Sequence, residues 1–124
     1  MSEIPPFIAV IDDDESMCQA LSRLLCAAGY DVRSYFSGES FLDDPDHGLA
    51  SFVVADIQLR GMSGFDLQYK VHQEISGLPF AFITAHDEAE TRARADASAC
   101  VAYLRKPFPG SDLLAAIARH LSPQ

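Results

Sequence analysis

The stretch FVVADIQLRGMSG, residues 52–64, decides the predicted fold. It opens with a short apolar run, which ends in a single carboxylate, Asp56, and a helical pattern then starts at Ser63 and Gly64. A short apolar run is typical of a strand that is covered on both faces of a parallel sheet. An acid at the end of such a strand needs a physical reason, and the rest of the chain suggests one.

Strand patterns alternate with helical patterns along the whole chain. The predicted strands cover residues 7–11, 31–36, 52–55, 80–83 and 100–104. The predicted helices cover residues 16–28, a short segment from Ser37-Gly38, a segment from Ser63-Gly64, residues 87–96 and residues 110–121. This alternation predicts an α/β fold in which a doubly wound, five-stranded parallel sheet carries helices on both faces.

Length and charge limit the classes of function. The 124 residues fit one domain, 1–124, with a core over about residues 7–121. The formal net charge is -9, from 18 acidic and 9 basic residues. This balance argues against nucleic acid as a partner of this domain, because phosphate contacts need clustered Lys and Arg. It permits a cation site where several carboxylates converge.

The sequence contains no pattern typical of a membrane or secreted protein. No apolar run approaches the roughly 18 residues that a membrane span needs, and the N-terminal residues show no basic leader, so we expect neither a span nor a signal peptide. The three cysteines, Cys18, Cys26 and Cys100, are far apart. We expect them to be reduced, mostly buried thiols, and we expect a cytoplasmic protein.

Polar side chains follow four of the predicted strands. They are Asp12, Asp13 and Asp14 after the first strand, Asp56 after the third, Thr84 after the fourth and Lys106 after the fifth. Each has an ordinary interpretation by itself, as a helix cap, a turn residue, a strand former or a surface charge. In open parallel sheets, however, ligands bind at the carboxyl ends of the strands, so we expect these groups to form one site.

Carboxylates that are brought close together repel one another and need a counter-cation or a raised pKa. Oxygen ligands with room for water suit Mg²⁺. Asp56 is the best candidate nucleophile, because a carboxylate can attack phosphorus and form an acyl phosphate. A cation held by Asp13 and Asp56, together with Lys106 and the hydroxyl of Thr84, would offset the charge of the phosphoryl oxygens.

Four motifs carry a resemblance to a known family. VIDDDE, VVADIQLRGMSG, FITAH and AYLRKPF, in this order and spacing, resemble the receiver domain of bacterial two-component response regulators. The resemblance covers about residues 7–121. It implies a flavodoxin-like strand order of 2-1-3-4-5 and a phosphorylation-dependent switch that accepts a phosphoryl group from a sensor histidine kinase. It implies a regulatory domain, which catalyses only its own phosphorylation and dephosphorylation, and not an enzyme.

The resemblance also implies roles for individual residues. Asp56 is the expected phosphoacceptor, with Thr84 and Lys106 as its phosphate-sensing pair and Lys106-Pro107 as a cis peptide bond. The expected Mg²⁺ ligands are Asp13, Asp56, Asp12 through water, and the backbone carbonyl of Gln58. Tyr103 matches the aromatic position whose orientation follows that of Thr84, or is simply an amphipathic edge aromatic. The side chains of Gln58 and His86 match positions that tune how water reaches the acyl phosphate, and His86 is otherwise a plain loop residue.

Two positions depart from the family pattern. Arg60 stands where receivers commonly carry proline, and it is either a solvent-facing side chain with no role or a residue that alters loop mobility or phosphoryl lifetime. Ala99 stands where the family often has glycine, and alanine is a poor choice for a left-handed backbone. We therefore expect the fourth helix to end in a different shape, and its few apolar residues predict that it is loosely held.

The resemblance implies an output surface on the fourth helix, the fifth strand and the fifth helix, which would bind a partner or pair two copies of the chain. Whether the chain acts alone or is part of a longer, DNA-binding regulator stays open. Three other classes are less well supported by the residues. A degenerate receiver would lack part of the set Asp13, Asp56, Thr84 and Lys106, which is complete here. An Asp-nucleophile phosphatase needs an acid at the position of Gln58. A flavodoxin-like cofactor binder needs a phosphate-binding loop at the position of Asp12–Asp14.

Overall fold

A computed structural model describes residues 4–121 of the chain. The strands are β1 (Phe7–Ile11), β2 (Val32–Tyr35), β3 (Ala50–Asp56), β4 (Phe80–Thr84) and β5 (Ala102–Arg105). The helices are α1 (Glu15–Ala27), α2 (Gly38–Asp43), α3 (Gly64–Glu74), α4 (Ala89–Ala97) and α5 (Gly110–Ala118), with a 3-10 turn at His47–Leu49. The strands form one parallel sheet in the order β2-β1-β3-β4-β5, which confirms the predicted fold class.

Both faces of the sheet are covered by helices. Every residue of β1 and β4 is buried, which explains why these strands read as continuous apolar runs. Alternate strand side chains enter two separate core clusters, because successive residues of a strand point to opposite faces. One cluster includes Leu25 of α1 and Ile117 of α5, and the other includes Phe41 of α2 and Leu67 of α3.

Several element boundaries differ from those predicted. β3 runs two residues further back and includes Asp56, so the acid is the last residue of the strand and not the residue after it. α4 starts two residues later than predicted, at Ala89, because Asp87 in the preceding turn accepts a hydrogen bond from Tyr103 of β5. β5 begins at Ala102 instead of residue 100, and α5 ends at Ala118 instead of residue 121.

The expectation of a differently shaped end to α4 is wrong. Ala99 adopts the left-handed backbone, with φ of 61°, that glycine would normally supply. The surrounding contacts explain this, since the buried side chain of Gln68 donates a hydrogen bond of 3.0 Å to the carbonyl of Ser98. The chain therefore keeps the turn from α4 into β5 and strains an alanine to do so. α4 itself buries only Ala95, as its sequence predicted.

The three cysteines are free thiols, but they are not mostly buried as expected. Only Cys18 is buried, whereas Cys100 is half-buried and Cys26 lies exposed at the end of α1. Burial raises the pKa of the Cys18 thiol to about 11, so this group stays protonated at neutral pH. Over residues 4–121, no helix is both long and apolar enough to cross a membrane.

Candidate functional site

Four of the predicted site residues converge where β1, β3, β4 and β5 end. The ammonium group of Lys106 donates hydrogen bonds to Asp12 Oδ2 at 2.8 Å and to Asp56 Oδ2 at 2.7 Å. Thr84, the last residue of β4, ends at the same edge of the sheet. Asp12, Asp56 and Thr84 are all buried. The structure thus brings Asp12, Asp56, Thr84 and Lys106 to one place, as the strand-end pattern predicted.

Backbone groups fix the two central carboxylates. The other oxygen of Asp56, Oδ1, accepts a hydrogen bond of 2.8 Å from the backbone N–H of Gln58. Asp12 Oδ1 accepts one of 2.9 Å from the backbone N–H of Asp14. A hydrogen bond of this kind to the backbone two residues ahead is the usual turn geometry of an aspartate. Each carboxylate therefore points one oxygen at its own turn and the other at the ammonium group.

A glycine lets α3 begin directly beside the site. A Cβ atom on Gly64 would lie 2.6 Å from the carbonyl oxygen of Asp56, closer than any side chain tolerates. Ser63 caps the same helix, and its hydroxyl accepts a hydrogen bond from the backbone N–H of Asp66. The Ser63-Gly64 pair in the sequence therefore has two separate purposes, which are to start the helix and to let its backbone approach Asp56.

The electrostatics of the site depend on Lys106. Burial raises the pKa of Asp12, although hydrogen bonds from Lys106 and from the backbone of Asp14 oppose that rise. For Lys106, burial acts to lower the pKa, but the hydrogen bonds to Asp12 and Asp56 outweigh it and the pKa is raised. The ammonium group therefore stays charged and offsets the repulsion between the two carboxylates.

Asp13 and Asp14 lie outside this central group. Both are exposed, and the side chain of Asp14 caps α1 by accepting hydrogen bonds from the backbone N–H groups of Ser16 and Met17. The guanidinium of Arg60 lies 3.8 Å from Asp13 Oδ2, with its own side chain 93% exposed. Arg60 is thus solvent-facing, and it places a positive charge beside Asp13.

The hydroxyl of Thr84 is held by two loops. It donates a hydrogen bond of 2.6 Å to the side-chain oxygen Oε1 of Gln58. It accepts one of 3.0 Å from the backbone N–H of His86, whose side chain is exposed. The sequence singled out all three residues, but it gave no sign that the Gln58 side chain bonds to Thr84.

Tyr103 lies on β5 with its hydroxyl in a polar contact. It donates a hydrogen bond of 2.9 Å to Asp87 Oδ1, and Arg92 of α4 pairs with the other oxygen of the same carboxylate. The guanidinium of Arg92 also lies over the Tyr103 ring, 5.2 Å from its centroid. Neither Asp87 nor Arg92 is predictable from the sequence, because only the folded turn before α4 brings them to β5.

Comparison with known proteins decides the family. The family model described as the response regulator receiver domain matches residues 8–118. The chain belongs to this family of receiver domains. The response regulator protein TmoT of Ectopseudomonas mendocina is 31% identical over 126 residues, spanning 100% of this chain and 57% of that protein. The transcriptional regulatory protein TdiR of Thauera aromatica is 32% identical over 110 residues, spanning 89% of this chain and 48% of that protein.

Solved receiver structures share the fold. The activated DrrB receiver domain with BeF3 superimposes with a TM-score of 0.84 at 26% identity, covering 94% of this chain and 97% of that one. The response regulator StyR superimposes with a TM-score of 0.84 at 34% identity, covering 95% of this chain and 60% of that one. The chain spans about half the length of the curated relatives TmoT and TdiR.

The donor set of the receiver site fits a hard divalent cation. Within residues 4–121 no group of three or more His, Cys, Asp and Glu residues could by itself hold a metal ion. Mg²⁺ does not require such a cage, since it usually takes one or two carboxylates and completes its shell with water and phosphate oxygens. Asp12 and Asp56 lie close together around one ammonium group, and Asp13 is next to Asp12 in the sequence. All three side chains are carboxylates, so the ligands that they offer are oxygens only.

Proposed function

We propose that this receiver accepts a phosphoryl group on Asp56 and acts as a switch in a two-component system. One observation carries the proposal, which is the contact of Asp56 with both a backbone N–H group and the Lys106 ammonium group. Those donors orient a carboxylate that ends a fully covered strand. Asp12 has an equivalent pair of donors, but its side chain is fully buried, whereas the side chain of Asp56 is 9% exposed, so Asp56 is the carboxylate that a phosphodonor can reach.

The chemistry is an in-line transfer. An oxygen of Asp56 forms a bond to phosphorus while the bond from phosphorus to a histidine nitrogen of the donor breaks, and the nitrogen keeps the electron pair. The Lys106 ammonium group would donate a hydrogen bond to a phosphoryl oxygen, in addition to those it donates to the carboxylates. Mg²⁺ would be held by Asp13, Asp56, the carbonyl of Gln58 and, through water, Asp12, and when bound it supplies positive charge for the phosphoryl oxygens.

The response of the fold would start at Thr84. Its hydroxyl would donate to a phosphoryl oxygen on Asp56, and the turn that it holds through His86 would move with it. Asp87 follows in that turn and bonds to Tyr103, so α4 and β5 would change together. This surface, with α5, would bind a downstream partner or a second copy of the chain.

The partner and setting follow from the same proposal. The phosphodonor would be a sensor histidine kinase, and the chain would work in the cytoplasm as a regulatory domain that does not turn over a separate substrate. The net charge of -9 supports an output through protein contacts and not through direct binding of nucleic acid. Any DNA-binding activity would lie in a region that the receiver controls.

A labelling experiment tests the assignment of Asp56. The parent protein should be labelled by a small phosphodonor such as acetyl phosphate in the presence of Mg²⁺, and removal of the metal by a chelator should abolish labelling. Asp56→Asn should not be labelled, whereas Asp43→Asn, a change at an exposed aspartate on α2, should be labelled like the parent. Equal labelling of Asp56→Asn and the parent would overturn the assignment, and turnover of a generic phosphate ester would favour a phosphatase.

Arg60 and His86 would adjust the lifetime of the acyl phosphate. The loop after β3 is already held without proline, because Glu39 of α2 accepts a hydrogen bond of 3.1 Å from the backbone N–H of Met62. We therefore expect Arg60→Pro to act on the lifetime through the lost charge beside Asp13 more than through loop order. Timing of dephosphorylation with and without added salt separates these causes, because salt screens only the charge.

A further inference from the structure

The side chain of Gln58 accepts the one hydrogen bond that the Thr84 hydroxyl can donate. A hydroxyl has a single O–H donor, and Thr84 directs it at Gln58 Oε1, 2.6 Å away. The carbonyl of His86 is a poorer acceptor for the same proton, at 3.2 Å. Thr84 is fully buried, so its hydroxyl has no direct exchange of partners with bulk water.

A phosphoryl group on Asp56 would need the same proton. Gln58 and Asp56 belong to one turn, in which the backbone N–H of Gln58 is bonded to Asp56 Oδ1 at 2.8 Å. The Thr84 hydroxyl can therefore face the Gln58 amide or the phosphoryl oxygens, but its one proton cannot serve both. Each arrangement excludes the other, as in any two-state switch.

We propose that Gln58 is a positioning residue, which acts through Thr84 and holds the unphosphorylated arrangement of the switch. This inference rests on the proposed function and deepens it, because it names what phosphorylation has to break. The Gln58 side chain opposes the active arrangement by the net strength of one hydrogen bond. Removing its acceptor oxygen should therefore make the phosphorylated arrangement easier to reach.

The geometry limits the size of the effect. One hydrogen bond between neutral groups has a net strength that corresponds to about 2- to 12-fold in an equilibrium constant. Gln58 lies exposed at the rim of the site, so water can replace part of the lost bond in a variant. We therefore expect a tightening of about 2- to 10-fold for a ligand that mimics the phosphoryl group.

A double-mutant cycle with beryllofluoride tests this. Binding is measured at saturating Mg²⁺ for the parent, Gln58→Met, Thr84→Val and the double variant, with Gln73→Met as the matched control at an exposed position of α3. Gln58→Met should bind beryllofluoride about 2- to 10-fold more tightly than the parent. In the Thr84→Val background the same change should have no effect. Tightening of equal size in both backgrounds, or no tightening, would overturn the inference.

A second measurement needs no ligand, so it separates this inference from the proposed function. Three-bond scalar couplings report whether the Thr84 side chain keeps one χ1 rotamer in the free protein. The parent and Gln73→Met should show a single rotamer, and Gln58→Met should populate a second one, because only the bond from the His86 N–H then holds the hydroxyl. An unchanged rotamer distribution in Gln58→Met would refute the inference that Gln58 positions the Thr84 side chain. Failure of the parent to bind beryllofluoride would instead refute the proposed function and leave this result standing.

Discussion

Tyr103 and Asp87 are joined by a hydrogen bond of 2.9 Å from the phenol to the carboxylate. Arg92 pairs with the same carboxylate and covers the ring, so three polar side chains tie the first turn of α4 to β5. α4 contributes only Ala95 to the buried residues. The position of α4 therefore depends on this polar contact more than on apolar packing, and a contact of that kind can be exchanged during switching.

Asp87→Asn should loosen α4 without unfolding the protein. The hydrogen bond from Tyr103 weakens and the ion pair with Arg92 is lost, so the amides of α4 should exchange several-fold faster with solvent deuterium. Amides of β1 and β4 should keep the exchange rates of the parent. Asp96→Asn, an exposed change on the same helix, is the control and should leave α4 unchanged. Equal exchange of α4 in Asp87→Asn and the parent would contradict the role of this contact.

The fold and the four central groups are predictable from the sequence for a common reason. Continuous apolar strands, short connections and polar residues at the strand ends are local patterns, and Asp12, Asp56, Thr84 and Lys106 all follow from them. Contacts between side chains on different loops have no local pattern. The bond between Gln58 and Thr84 spans 26 residues, and it depends on how two turns face each other.

The backbone of Ala99 differs from the prediction for a related physical reason. Alanine disfavours the left-handed region, but only by about 1–2 kcal/mol, which one well-packed turn can supply. The turn into β5 is held by Gln68 from another helix, and a local preference carries no information about that contact. Tertiary structure here outweighed the backbone preference of a single residue.

Ala99→Gly should stabilise the fold. Glycine adopts φ of 61° without strain, and after its greater flexibility in the unfolded chain is subtracted, we expect a gain of about 1 kcal/mol in the free energy of unfolding. Urea unfolding at neutral pH measures it. Ala93→Gly, at an exposed position within α4, is the opposite control and should cost about 1 kcal/mol. Loss of stability in Ala99→Gly would show that the left-handed backbone costs nothing here.

Gly64→Ala should damage the site and the fold together. The added methyl group would stand 2.6 Å from the carbonyl oxygen of Asp56, so the start of α3 must move away from the phosphoacceptor turn. We expect a loss of about 1–3 kcal/mol in the free energy of unfolding and slower labelling of Asp56 by acetyl phosphate. Gly48→Ala is the matched control, since no atom lies within 4 Å of the new methyl group. Labelling at the parent rate in Gly64→Ala would mean that the close approach of α3 is not required.

His47 gives the stability of the receiver a pH dependence away from the site. Its Nε2 lies 2.7 Å from Glu74 Oε2, and its Nδ1 lies 2.8 Å from the carbonyl oxygen of Asp44. The hydrogen bond to Glu74 raises the pKa of His47 above its ordinary value of 6.5, although burial opposes the rise. Protonated imidazole donates from both nitrogens, so both contacts are made best by the charged ring.

The sign of the effect follows from the direction of that shift. Because the pKa of His47 is higher in the folded state, its contribution to stability is complete below pH 6.5 and is lost as the pH rises through the folded-state value. Glu74→Gln should therefore lower the free energy of unfolding at pH 6 and have less effect at pH 9. Glu74 is 55% exposed, so the difference should stay below about 1 kcal/mol. Urea unfolding across this range measures it, with Glu90→Gln as control, and a difference that does not change with pH would contradict the assignment.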